Sequence, residues 1–415
     1  MNLELFIARR IARNGPGNRP GVMVRIAVVA VALSVTVMIL ALAVIMGFKR
    51  EITDRVTGFS AQVEVADLRS AGSIESVPVP RSEQLERAIR SAGEVVRLAP
   101  YAVKGGVVKT PDAILGVMLK GVDGGYDWSF FRDHLLEGEL PRVGDSIRTK
   151  EILISRSVAR EMGLVPGDKV EMLFVESEKS PRRDRFKVSG IYATGMDEFD
   201  RSVAMTDLRN VQRLADWSSD EVSGYEVTLA DFSQAEDFSR RLNDMLLDSD
   251  REAFWDLTAR SAQERFPTVF DWLKTHDVNA AVILVIMVVV AVFNMATALL
   301  TLVLERTRMI GLLKTMGMNS ASLRWIFLYR ALMLILRGVV WGNAIGLGIC
   351  LLQYYFHLIP LDPEGYMLSE VPVAFGVGWW LALNAGVVAV ILTLLMLPAS
   401  IISQVKPVEA IRYDS

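Results

Sequence analysis

Reactive side chains are scarce in this sequence: one cysteine and three histidines in 415 residues. The lone Cys350 sits inside an apolar run, so the chain offers neither a disulfide framework nor a thiolate metal site. His134, His276 and His357 are scattered, without the H-x-x-x-H or H-E-x-x-H spacing that sets two imidazoles on one helix face. Lys109-Thr110 and Lys314-Thr315 lack the glycine frame whose backbone amides cradle a phosphate, so ATP is not bound by that motif. Asp197, Glu198 and Asp200 read as a solvated turn, not as acid–base machinery. No catalytic residue, metal ligand or cofactor site emerges, and an enzyme is not expected. A net charge of −3 carries no electrostatic footprint for nucleic acid.

Apolar length is plentiful. Hydrophobic residues make up 51% of the chain and charged ones 22%, so a membrane part must coexist with a polar part. Ile26 to Phe48 is a run of 23 uncharged residues, about 34 Å as a helix, enough to cross a bilayer. Its length, and Lys49-Arg50-Glu51 directly after it with no small-residue cleavage site, mark a signal anchor and not a cleaved signal peptide. Val278 to Leu304 gives a second span of 27 uncharged residues. Trp325 to Phe356 gives a third, carrying Arg330 and Arg337, and Ala374 to Leu397 a fourth. Asn294 is expected to face another helix, because an amide in lipid needs a partner. Gly342, Gly346 and Gly348 offer small-residue packing against a neighbour.

Between the first two spans, residues 49–274 are polar and punctuated by turns. Strands fit Ala61–Val65, Val95–Leu98, Ile114–Lys120, Lys169–Val175, Phe186–Ile191 and Tyr225–Leu229. Helices fit Ser82–Ser91, Ser155–Met162, Asp207–Leu214 and Ser233–Leu247. This predicts one α+β domain with a β-rich insertion at about 126–221. Residues 176–185 (ESEKSPRRDR) read as a long, polar, basic hairpin tip stiffened by Pro181.

Basic residues set the orientation. The first 25 residues hold Arg9, Arg10, Arg13, Arg19 and Arg25 against Glu4, a pattern fitting either an interfacial helix or a short solvated tail. The loop from Glu305 to Arg324 has four basic residues, and the loop from His357 to Val373 has none. Both tails and the 305–324 loop are therefore expected in the cytosol, and the large domain outside it. Within that loop Met309, Leu312, Leu313 and Met316 recur at helical spacing before Gly317. A short amphipathic helix at a membrane surface suits docking of a soluble partner. An ordinary loop resting on headgroups is the alternative.

The literal string E-R-x-x-x-I-G-L-L-K-x-M-G from Glu305 to Gly317 resembles the coupling segment of FtsX-like ABC-transporter permeases. The ending Pro398-Ala399-Ser400 with Val405-Lys406-Pro407-Val408-Glu409-Ala410-Ile411-Arg412 is similar to that family's tail. Within the family the likeness is greatest to the lipoprotein-releasing permeases of the Lol system. It is carried by Gly138–Pro141, Glu151–Ser155, Leu164–Val170, Phe186–Ile191, Phe270–Leu273 and Leu361–Tyr366. Two positions depart from the pattern: Arg330 stands where a Gln is common, and Arg337 interrupts a span that is usually neutral there.

The resemblance implies an α-helical membrane protein with four transmembrane helices and a large extracytoplasmic α+β (MacB-like periplasmic) domain between the first and second. It implies an inner-membrane dimer with a second permease copy or paralogue, and a separate ABC ATPase subunit that binds ATP and Mg. The substrate implied is a lipoprotein, passed to a periplasmic chaperone. Glu305, Arg306, Ile310, Gly311, Leu313, Lys314 and Gly317 would then couple the ATPase to the spans. A substrate groove would draw on Met38, Leu42, Ile45, Met46 and Phe48 of the first span and Val282, Ile286, Val289 and Phe293 of the second, though any lipid-facing helix looks similar. Pro181, Arg182 and Arg183 would contact the chaperone. A MacB-type mechanotransmitting exporter and an FtsX-type regulator of a cell-wall hydrolase are the alternatives within the same fold.

Overall fold

The computed structural model describes residues 4–8, 22–70, 75–110, 113–144, 148–176, 179–248, 252–362, 368 and 370–400. The arginine-rich stretch from Arg9 to Arg19, most of the Leu361–Tyr366 string and the Val405–Arg412 ending lie outside these residues. In chain order the helices are α1 (Val22–Ser60), α2 (Glu83–Ser91), α3 (Ser129–Asp133), α4 (Arg156–Met162), α5 (Asp197–Asp200), α6 (Leu208–Leu214) and α7 (Ala235–Leu247). They continue with α8 (Glu252–Trp255), α9 (Ala262–Arg265), α10 (Pro267–Glu305), α11 (Thr307–Thr315), α12 (Ser320–Phe356) and α13 (Val377–Ala399).

Four of these, α1, α10, α12 and α13, are long and apolar enough to cross a membrane. Helices α1 and α10, at 39 residues each, outrun the expected spans. The first continues twelve residues past Phe48 because Lys49 to Ser60 has no glycine or proline until Gly58 and gains an i,i+4 pair between Arg55 and Glu51. The second starts at Pro267, a residue suited to the first helical position, so Asp271-Trp272-Leu273-Lys274 is helix running on.

The chain divides into two compact units. In the membrane unit (Met1–Arg50, Leu273–Pro360 and Val371–Ser415), α1 packs on α12 through small residues. A Cβ on Gly342 would sit 2.7 Å from Val35 Cβ and 2.8 Å from the Ala32 carbonyl, so only glycine permits that approach. Gly338 and Gly346 face Val31 and Ile39 in the same way. Gly348, expected to share this role, faces open space. Thr36 Oγ1 donates to the Gly342 carbonyl (3.1 Å) across the same seam. Asn343, Asn384 and Trp380 form a hydrogen-bonded cluster that ties α12 to α13. Asn294 is half-buried and has no hydrogen-bond partner among the described residues, so the expected amide link is made by Asn343 and Asn384 instead. Lys49 pairs with Asp277 at 2.8 Å and Phe48 stacks on His276, joining α1 to α10 just beyond their apolar runs.

The large domain (Glu51–Trp272 with Leu361–Glu370) is built on one mixed sheet. Its strands are β1 (Val63–Asp67), β3 (Val95–Lys109), β4 (Ile114–Val122), β5 (Leu135–Gly138), β6 (Glu151–Ser155), β7 (Lys169–Glu176), β8 (Lys179–Tyr192), β9 (Val203–Asp207), β11 (Gly224–Leu229) and β12 (Leu257–Ser261). The order is β12-β1-β11-β3-β4-β9-β6-β8-β5, with β7 pairing both β3 and β8; β2 (Val79–Pro80) and β10 (Glu221–Val222) form a separate pair. The strands of the expected insertion, β5 to β9, thus extend the main sheet. Caps fix the helix starts: Ser155 accepts from the Val158 amide, and Asp207 from the Arg209 amide. The core is aliphatic and aromatic, with Val63, Val65, Phe174, Phe186, Tyr225 and Phe238 nearly inaccessible.

The long basic tip expected at residues 176–185 is not a tip. Strand β8 begins at Lys179, and Phe174, Leu173 and Glu171 pair with Arg182, Arg183 and Arg185. Opposite charges across the ladder close it: Arg183 and Arg185 both reach Glu171 at 3.5 Å. Pro181 falls where the register shifts between Phe174 and Glu176, an irregularity that accommodates a residue without an N–H.

Candidate functional site

The connector between the second and third spans is folded as expected and faced differently. Helix α11 starts after Arg306, whose backbone leaves the helical region at φ −114°, ψ 17°. It stops where Gly317 takes φ +90°, a left-handed turn that a side chain would strain. Asn319 then caps α12 by accepting from the Ala321 amide. Ile310 is fully buried among the membrane helices and Gly311 is buried beside it, with Met309 and Leu313 packed on the same core. These residues moor α11 to the bundle. Lys314 is partly buried, Arg306 half-buried, and Glu305 and Gly317 are exposed.

The surface left open includes Glu305, Arg308, Leu312, Thr315, Met316 and Gly317. Leu312 is 51% exposed and Met316 82% exposed. Ile310 and Leu313 therefore do not form the outward face assigned from the string. The spacing Met309, Leu312, Leu313, Met316 contains two faces, and burial separates an inner pair from an outer pair.

The proposed groove residues also divide. Met38 is fully buried in the bundle core, and Leu42, Ile45 and Phe48 are half-buried. Met46 is at the surface, and Val282, Ile286, Val289 and Phe293 form an exposed stripe along α10. Met38 is enclosed in the core while the α10 stripe is exposed, so the nine residues do not line one surface within this chain.

A second feature, missed in the sequence, lies in the large domain where α1 ends. Residues Glu64 and Glu226 are direct cross-strand partners, two carboxylates that would repel. Each has a cation: Lys120 Nζ is 2.5 Å from Glu226, and Arg265 Nε is 2.8 Å from Glu64. The same cations reach the last carbonyls of α1. Lys120 donates to Phe59 O at 3.5 Å and Arg265 to Ser60 O at 2.9 Å, where the helix dipole favours positive charge. Tyr101 donates to Glu64; burial, then that carboxylate, pushes its phenol well above the ordinary range. Arg55, earlier on α1, donates to the Thr194 carbonyl at 2.6 Å. The end of the first long helix is thus held by an ion-paired network on the sheet, to which Arg260 adds a further contact with Glu64 at 3.7 Å. A charged residue in an otherwise apolar strand, such as Glu226 between Tyr225 and Val227, was the available signal.

A cavity of about 210 Å³ opens beside this network, lined by Asp54, Gln62, Arg97, Asp127, Glu226 and Thr228. Arg97 and Asp127 pair with each other and Glu226 with Lys120, so its charges are largely matched internally. Among the described residues no group of histidine, cysteine or acidic side chains is placed to hold a metal ion.

Residues 26–245, more than half of the chain, match the MacB-like periplasmic core domain, and residues 281–407 match the FtsX-like permease C-terminal family. The chain belongs to the FtsX-like permeases with a MacB-like core domain. The permease is 26% identical over 398 residues to the "Lipoprotein-releasing system transmembrane protein LolC" of Xylella fastidiosa, covering 90% of this chain and 89% of the relative. It is 24% identical over 434 residues to the protein of the same name from Neisseria meningitidis, with both chains covered completely. Among solved structures, the periplasmic region of MacB from Actinobacillus actinomycetemcomitans aligns with a TM-score of 0.35 and 12% identity, over 52% of this chain and 96% of that one.

Proposed function

We propose that this permease couples ATP hydrolysis by a separate ABC ATPase to extraction of lipoproteins from the bacterial inner membrane, and passes them to a periplasmic chaperone. The carrying observation is α11, moored by buried Ile310 and presenting Leu312 and Met316 outward between two spans. An apolar ridge of that kind suits a groove on a soluble ATPase, which would hold the ATP and Mg. The similarity to lipoprotein-releasing proteins over nine-tenths of the chain supports the cargo. The charge count supports both termini and α11 in the cytosol. Two permease chains, identical or paralogous, would flank one lipid-facing path.

Acyl chains need apolar, adaptable walls, and Met46 with the exposed α10 stripe ending at Phe293 supplies them. Photo-crosslinkers at Met46 or Phe293 are expected to capture lipoprotein acyl chains, and one at Trp379 is not; equal capture at all three would mean plain lipid exposure. For the hand-over, Pro181, Arg182 and Arg183 on the β7–β8 ribbon are the proposed chaperone contact. Arg182 already pairs with Asp216 at 2.6 Å, so that contact would have to share or exchange its partner.

The deciding experiment reconstitutes the full chain with its ATPase in proteoliposomes carrying a triacylated lipoprotein. ATP-dependent transfer to a soluble chaperone is the expected result. ATPase binding and hydrolysis without any lipoprotein release would contradict the cargo assignment and favour an exporter of another substrate.

A further inference from the structure

Arg337 lies on an outward face of α12: it is exposed, and its guanidinium has no hydrogen-bond or ion-pair partner among the described residues. The exposed side chains around it, Leu336, Val340 and Trp341, offer no acceptor except backbone. Its depth makes this costly. Val340–Trp341 is the middle of the run Trp325–Phe356, and exposed Trp325, Tyr354 and Tyr355 mark its two interfaces. Arg337 is thus about 5 Å from mid-span on the side of α11, with about 10 Å of hydrocarbon between it and the nearer headgroups. The stem of one arginine does not cover that distance, and a charge held in hydrocarbon calls for a polar partner.

The spans supply no acid: residues 26–48, 278–304, 320–356 and 374–397 contain neither Asp nor Glu. A partner from these spans is therefore a neutral acceptor. Asn343, Asn384 and Gln353 are already hydrogen-bonded within the chain. Asn294 on α10 is half-buried and has no hydrogen-bond partner among the described residues. Its level matches that of Arg337. Ala291 is the middle of the run Val278–Leu304, so Asn294 also sits about 5 Å from mid-span on the side of α11. Within one chain the two side chains do not bond. On the face of Arg337, at seven- and eleven-residue spacing, Ala344 is exposed and a Cβ on Gly348 would meet nothing, so another helix can come close there.

We propose that two copies of this chain pair in the membrane through Arg337, which donates to the Asn294 side-chain carbonyl of the second copy, and reciprocally. A two-fold axis along the bilayer normal preserves depth, so two groups at one level on different helices meet twice. Both members of the pair are on this chain, which makes the partner a copy and not a paralogue. The inference rests on the proposed pairing of two permease chains and is independent of the cargo.

The test co-expresses two differently tagged copies of the full chain, both carrying Cys350→Ala, which removes the lone cysteine. One adds Asn294→Cys and the other Arg337→Cys. Oxidation is expected to join these two by a disulfide, and not to join Arg337→Cys to a copy carrying Val390→Cys on the exposed side of α13. In the otherwise native chain, Arg337→Leu is expected to lower co-purification of the two tags about tenfold, one bond being lost on each side of the axis. Its thermal midpoint should not fall, because the guanidinium has no partner inside the chain. Asn294→Asp, which offers a carboxylate, should raise co-purification, and only while Arg337 is present. If wild-type copies fail to co-purify, the pairing of identical chains is overturned and a paralogue remains as the second permease. If they co-purify, but Val390→Cys crosslinks equally well or Arg337→Leu changes nothing, the two-chain reading stands and this contact is overturned.

Discussion

In the large domain Lys120 is buried with Glu226 2.5 Å away, and Asp184 lies buried between Lys150 and Arg213. In the membrane unit Arg330 is as deeply buried, yet two of its nitrogens have no acceptor among the described residues. Apolar surface differs in degree, since the large domain exposes apolar side chains such as Val96 and Ile114 as well. The sheet encloses Phe174, Phe186 and Tyr225, whereas α10 and α11 leave Phe293, Leu312 and Met316 open. The large domain pairs these buried charges internally, and buried atoms it leaves unpaired, such as Asn210 Oδ1, are neutral. The membrane unit leaves a buried cation and several large apolar side chains unmatched among the described residues.

The largest expected effect tests self-sufficiency in the large domain. Glu226→Ala leaves Lys120 buried without its carboxylate and should cost about 3–5 kcal/mol in the denaturant-induced unfolding of that domain. The double variant Lys120→Met, Glu226→Leu should recover most of the loss, because an apolar pair removes both charges together. If the single variant is neutral, the network does not anchor the end of α1.

Next comes the seam of α1 on α12 in the membrane unit. Gly342→Val would press on Val35 and the Ala32 carbonyl, an overpacking cost of about 1–3 kcal/mol, seen as a lower thermal midpoint in detergent. Gly348→Ala, facing open space, should leave the midpoint unchanged. Similar behaviour of the two variants would mean that the close approach is not structural.

Acid should separate the units more gently. The Arg69 hydrogen bond holds the Asp67 carboxyl below its usual range, and Arg142 does the same for Glu151. A lowered folded-state value stabilises above the ordinary carboxylate pKa of about 4 and ceases to do so as pH falls through the lowered one. Hydrogen exchange followed from pH 7 towards pH 3, corrected for intrinsic rates, should show β1 and β6 losing protection below about pH 4. The centres of α10 and α12, free of carboxylates, should hold. Equal loss in both regions would remove the contrast.

Much of this architecture was legible in the sequence, for identifiable reasons. The span count followed from uninterrupted apolar runs, and α2, α4 and α6 from capping residues such as Ser155 and Asp207 that announce a helix start. The extension of α1 to Ser60 was hidden because residues 49–60 mix charges and apolar side chains that suit strand, loop or helix equally. The β7–β8 ribbon was mistaken for a loop because Arg182 and Arg185 look solvated until Asp216 and Glu171 are placed opposite them. The Glu64–Glu226 network joins residues more than 100 positions apart, and no local pattern encodes such a pairing. For α11, periodicity located the helix without saying which half of its apolar residues faces inward. Burial of Ile310 decides that.

Exchanging that inner and outer assignment gives the most direct test of the coupling account. The full chain would be co-expressed with its ATPase and purified through a tag on the permease, comparing Leu312→Asp, Met316→Asp with Ile310→Asp. The outward pair should lose the ATPase at least about tenfold while keeping the wild-type thermal midpoint, since neither side chain is needed by the bundle. Ile310→Asp should lower the midpoint as well, through a buried unpaired charge. Undiminished ATPase binding by a well-folded Leu312→Asp, Met316→Asp variant would contradict the claim that α11 is the coupling element.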